Sequence, residues 1–108
     1  MKRKQALAEL IEKVESGEPI LHPLPEWWST KDWVNCVGAF YGSLNAAKAL
    51  HEAVLPGWFG GVSENIHGHG WYGWVQTNER HMEARSDQPA RAWLLAILRA
   101  LHSMEPDA

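Results

Sequence analysis

The sequence predicts an α/β (α+β) domain: a small antiparallel sheet of about three strands sandwiched between helical layers, an α-β-α sandwich. Three observations carry that expectation. Two serine-capped helical segments come before an aromatic, valine-bearing stretch of period two. A hard stop, Leu55-Pro56-Gly57-Trp58, separates them, because proline lacks an N–H and glycine accepts a positive φ. A long apolar helical segment then closes the chain. With 108 residues, 45% hydrophobic and 21% charged, the chain makes one domain over 1–108 that buries somewhat over half of its unfolded surface.

Residues 4–16 form the first helix. Leu7, Leu10, Ile11 and Val14 recur at spacings of three and four, Glu9, Glu12, Lys13 and Glu15 face water, and Gly17 supplies a stop. Lys2, Arg3 and Lys4 sit at the wrong end for the helix dipole, so the first turn is expected to fray. Pro19, Pro23 and Pro25 then impose an extended connector from 17 to 28. Its Trp27-Trp28 pair reads as exposed, a homodimer contact or a lid over a pocket; equally it caps one end of the core. Ser29 with Asp32 three positions on is a capping box. The helix it starts, 30–39, is expected to turn Trp33, Val34, Val37 and Phe40 inward.

Ser43 caps the next helix, 44–55, by accepting from a free backbone N–H. Leu44, Ala47, Leu50, His51 and Val54 form its apolar stripe. Residues 58–63 and 70–76 are strand-like and make a hairpin around the turn-rich 64–69. Residues 79–85 alternate weakly and add a third strand. Ser86 and Asp87 offer caps for the last helix, 88–104, with Pro89 in its first turn, where a missing N–H costs little. Trp93, Leu94, Ile97, Leu98 and Leu101 form its buried stripe, with Arg91, Arg99 and His102 off it.

Composition excludes several classes. A net charge of −3 disfavours an extended nucleic-acid partner, which is gripped by neutralising phosphates. No apolar run nears the ~20 residues of a membrane span, and no signal core follows Met1-Lys2-Arg3-Lys4, so a cytoplasmic protein is expected. Cys36 is the single cysteine: no disulfide framework is available, and a buried structural thiol is expected.

The segment Tyr41-Gly-Ser-Leu-Asn-Ala-Ala-Lys-Ala-Leu50, followed by Leu55-Pro-Gly-Trp58, a tryptophan-rich strand and Pro89-Ala-Arg-Ala-Trp-Leu-Leu-Ala-Ile-Leu-Arg-Ala100, carries a family resemblance. The chain resembles the phage ABA sandwich domain family of small phage and prophage proteins over roughly its last two-thirds. It departs at Asn45, where that pattern has Asp, and at Arg91 and Trp93, where it has small residues. The resemblance implies phage or prophage origin, action in a host bacterial cytoplasm and layered helices and sheet. Its motifs are of capping and packing residues, and it supplies no catalytic residues.

Two constellations carry chemistry. His67 and His69, two apart, present both imidazoles to one face if the backbone is extended, and His81, Glu83 or Glu64 is the nearest third ligand for a metal. A solvated glycine loop explains them as well, and no metal or other cofactor is expected. The second is tryptophan, with seven copies at 27, 28, 33, 58, 71, 74 and 93. Trp58, Trp71, Tyr72 and Trp74 fall on the hairpin with Arg80 and Arg85 on the next segment. Indoles stack on bases and arginine forks grip phosphates, so these six are the candidate ligand-binding residues. Core packing is the plainer account of any single indole. The odd spacing of Trp71 and Trp74 requires either a bulge at Gly73 or one outward indole.

No activated nucleophile, acid–base carboxylate pair or phosphate loop is present, so catalysis is not expected. The first expectation is a non-catalytic binder of a small nucleotide, a homo-oligomer that sequesters a host immune signal as an anti-defence protein. Next comes a protein-interaction module blocking a host factor, and then a small metal-dependent hydrolase using His67 and His69.

Overall fold

In a computed structural model the chain is described over residues 3–19 and 28–106. The elements run α1 (Arg3–Ser16), α2 (Thr30–Phe40), α3 (Leu44–Val54), β1 (Phe59–Glu64), β2 (Trp71–Gln76), β3 (His81–Ser86) and α4 (Pro89–Met104). The α+β class and the three-stranded antiparallel sheet are as the sequence predicts, with strand order β1-β2-β3.

Local signals explain the boundaries. Ser29 Oγ accepts from Asp32 N and Ser43 Oγ from Ala46 N, each at 3.1 Å, so both predicted caps are made. At the start of α4 the cap differs: Gln88 holds that position without a side-chain bond, Pro89 fills the first turn, and Ser86 Oγ accepts from Gln88 N at 3.3 Å. The basic start of α1 is helical, with Arg3 Nη1 3.2 Å from Glu105 Oε1, which answers part of the adverse dipole term.

Helix α4 is the middle of the molecule. Ala90, Ala92, Leu94, Leu95, Ala96, Ile97, Leu98 and Ala100 are all buried, and successive 100° steps spread them right around the helix. A helix apolar on every side needs neighbours on every side. It lies across all three strands, and α1, α2 and α3 also pack on it. Helices therefore pack against the sheet as expected, but from one side: the middle layer is α4, whereas the sequence stripes placed the sheet there. Helix α3 reaches the sheet through His51, whose ring abuts Gly60.

The apolar stripes of α2 and α3 are narrower than expected. Cys36, Ala39 and Phe40 are buried in α2, while Val34 is 60% exposed; in α3, Leu44 is 42% exposed. Both sit at the edge of a stripe, where one residue's 100° decides the side. Trp28 is buried, its ring 6.2 Å from that of Trp33, so of the tryptophan pair this member caps the core; Trp27 and most of the connector lie outside the described residues.

Candidate functional site

Register decides which side chains share a face. Strand β2 pairs with β1 from Phe59↔Gln76 to Glu64↔Trp71, and with β3 from Trp71↔Ser86 to Gln76↔His81, without interruption. Directly opposed residues project to the same side and successive ones to opposite sides. One face therefore carries Gly60, Val62, Glu64, Trp71, Gly73, Val75, Met82, Ala84 and Ser86. This is the face under α4: Val75 and Ala84 are buried, and a Cβ on Gly73 would run into the backbone of Ala92 and Trp93.

The other face carries three cross-strand rows. These are Phe59, Gln76 and His81; Gly61, Trp74 and Glu83; and Ser63, Tyr72 and Arg85. A shallow open depression of about 380 Å³ lies on it, lined by Ser63, Tyr72, Trp74, Gln76, His81 and Glu83. Every residue of this face is exposed or half-buried. The indole of Trp74 lies beside Gly61, its Cζ2 3.7 Å from where a Cβ would stand, so the glycine gives the ring a flat seat. The Arg85 guanidinium sits 4.9 Å above the Tyr72 ring. His81 Nδ1 is 3.0 Å from Gln76 Oε1, and Nε2 donates to Glu83 Oε2 at 3.3 Å.

Of the six candidate ligand-binding residues, Tyr72, Trp74 and Arg85 come together on this outer face. Trp71 does not: no bulge forms at Gly73, because a wider backbone there would meet α4, and Trp71 projects to the α4 side. Arg80 is exposed in the β2–β3 turn, where Thr77 Oγ1 accepts from its N–H at 3.1 Å. Trp58 precedes β1 and packs against the core. Its carbonyl is 2.9 Å from His51 Nε2, while Trp93 Nε1–H donates to His51 Nδ1 at 3.1 Å. Because Nδ1 accepts, the proton of neutral His51 lies on Nε2 and donates to Trp58. That buried imidazole, 5% exposed, ties α3, α4 and the entry to β1 together.

Phe59, an aromatic of the same hairpin, joins the outer face, as do Gln76 and Ser63, which no motif marks. Strict period two from Trp74 names Gln76, and the β1–β2 register closed by Asn65 N donating to Gly70 O names Phe59 and Ser63. His67 and His69 lie exposed in the β1–β2 loop, where His67 N donates to Asn65 Oδ1 at 3.2 Å. Among the described residues, no three His, Cys, Asp or Glu side chains converge as metal ligands. Burial pushes the Cys36 thiol up to about 12, which keeps it protonated and weakly nucleophilic. No described helix is long and apolar enough to cross a membrane. Comparison with protein-family models, curated proteins and solved structures gives no match to this chain.

Proposed function

We propose that this chain is a non-catalytic ligand-binding module whose outer sheet face takes a small nucleotide. Tyr72, Trp74 and Arg85 on one uncovered face are the observation that carries the reading. Trp74 stacks on the base, and Arg85, released from Tyr72, donates its fork to a phosphate. The sequence resemblance to small phage proteins extends the proposal to a phage accessory protein in a bacterial cytoplasm, sequestering a host nucleotide signal as a homo-oligomer. Phe59, 66% exposed at the rim of the same face, supports a second reading, in which the face docks on a host protein.

Titration of cyclic and linear nucleotides against intrinsic fluorescence tests the first reading. Stacking is worth roughly 1–3 kcal/mol per base, so Trp74→Ala is expected to weaken binding by about 5- to 150-fold. Heating the complex is expected to release the nucleotide unchanged; recovery of a cleaved product would make the chain an enzyme. If no nucleotide binds and Trp74→Ala removes only a protein–protein contact, the docking reading replaces it.

A further inference from the structure

The two edges of the sheet are treated differently by the sequence. The hairpin bonds fix which backbone groups point outward. Asn65 N donates to Gly70 O at 3.0 Å and Thr77 N to Arg80 O at 2.8 Å. Counting back in twos from these pairs, Phe59, Gly61 and Ser63 direct their N–H and C=O toward β2, while Gly60, Val62 and Glu64 direct theirs away from it. On β3, His81, Glu83 and Arg85 are the outward residues.

The β3 edge is closed. Arg99 Nη1 donates to Glu83 O at 3.0 Å, and its Nη2 donates to Glu15 Oε2 at 2.8 Å, so a guanidinium anchored on α1 occupies the edge. The three outward residues of that strand also carry ionisable side chains, a common block against a further strand. The β1 edge has neither device. Among the described residues nothing bonds the outward backbone groups of Gly60, Val62 and Glu64. Phe59-Gly-Gly-Val-Ser-Glu64 bears one charge, at its end.

We infer that β1 is a homodimer edge, pairing antiparallel with β1 of a second copy about a two-fold axis at Val62. Centring on Val62 uses all three outward residues: Val62 faces Val62, and Gly60 faces Glu64 of the second copy. The register is self-complementary. Each Glu64 lies opposite a glycine, and the two Glu64 carboxylates stand more than about 13 Å apart along the strands. The exposed apolar residues of the hairpin are also brought together. Phe59 is 66% and Ile66 82% exposed, at opposite ends of β1 in one copy. Antiparallel pairing sets Phe59 beside the loop of the second copy that carries Ile66, at both ends of the interface. The product is one six-stranded sheet whose outer faces are continuous, with Gly61 beside Ser63 of the second copy.

This deepens the homo-oligomer part of the function proposed above and does not depend on the nucleotide part. Amide hydrogen exchange on the intact chain, at several concentrations beside sedimentation analysis, tests it. The expected result is a species of twice the monomer mass, with exchange at Gly60, Val62 and Glu64 slowed at least about tenfold from dilute to concentrated protein. Gly61 and Ser63, bonded to β2, stay protected throughout. Val62→Pro deletes the central outward N–H while sparing the ladder to β2, so it is expected to give a folded monomer. A chain monomeric at all concentrations overturns both the inference and the homo-oligomer proposal. An oligomer whose Gly60, Val62 and Glu64 amides exchange freely overturns the inference alone. So does protection of those amides in a monomer, which would mean that the chain covers its own edge.

Discussion

The two faces of the sheet are built from the same strands and obey opposite rules. Under α4, β2 offers Gly73 and Val75, and β3 offers Ala84: small or compact residues that let a helix backbone approach closely. On the outer face, the same strands carry Tyr72, Trp74 and Gln76, with His81, Glu83 and Arg85 alongside. Where α4 crosses most closely the inner face is specified by how little it projects, with Trp71 and Met82 in the flanking rows, and the outer face by how much. Fold stability therefore concentrates on one side of a single layer and the proposed recognition chemistry on the other. Substitutions should separate the two cleanly.

The largest effect is expected at the helix that the inner face supports. Leu98 is fully buried in α4, and Leu98→Asp would place a carboxylate there without a partner. A loss of at least about 4 kcal/mol is expected, a large share of a small domain's total stability. Loss of cooperative unfolding in denaturant would report it; a variant as stable as the parent would mean that α4 is not the middle layer. Gly73→Ala comes next. Its methyl has no room against the Ala92 backbone, and neither strand nor helix can yield as a side chain would. The expected cost is about 3 kcal/mol, read as a shifted urea midpoint.

How far the sequence disclosed this arrangement depends on which signal each part uses. Capped ends were legible, because Ser29 and Ser43 act on backbone within three residues. Element order and the three strands were legible for the same reason. The layer order was not. In α4, only Arg91 and Arg99 interrupt the apolar run from Pro89 to Leu101, and reading it as one stripe hides that it is apolar all round. Those two arginines are held by main-chain carbonyls of other elements, Phe40 and Glu83, which no local pattern reveals. The grouping of the candidate site residues was legible in part. Tyr72, Trp74 and Arg85 followed from composition, whereas separating Trp71 from Trp74 required knowing that α4 leaves no space for a bulge at Gly73.

His51 shows the same boundary between local and tertiary information. Its place in the α3 stripe was readable, but its partners come from seven and forty-two residues away. His51→Phe keeps much of the volume and leaves both Trp93 Nε1–H and the Trp58 carbonyl without a partner. The expected cost is about 2 kcal/mol, below that at Gly73 because no backbone must move. Thermal unfolding would measure it. Nitrogen chemical shifts of the parent imidazole would check the inferred tautomer, with the proton on Nε2.

The smallest effect has the opposite sign and sharpens the contrast most. Gly61 and Gly73 are both strand glycines, one per face, and the same change to alanine probes each. At Gly61 the new methyl would stand 3.7 Å from Trp74 Cζ2 and 3.9 Å from Cε2, ordinary contact distances. The backbone there does not have a positive φ, so alanine can adopt it without strain. Replacing glycine also restricts the unfolded chain, which stabilises the folded state by roughly 0.4–1 kcal/mol where the native conformation suits the new residue. Gly61→Ala is therefore expected to raise the urea midpoint slightly and to leave the Trp74 seat intact, while Gly73→Ala lowers the midpoint sharply. A Gly61→Ala variant destabilised as much as Gly73→Ala would mean that the outer face is packed as tightly as the inner one. That result would remove the open platform on which the nucleotide proposal stands, whatever the chain's oligomeric state.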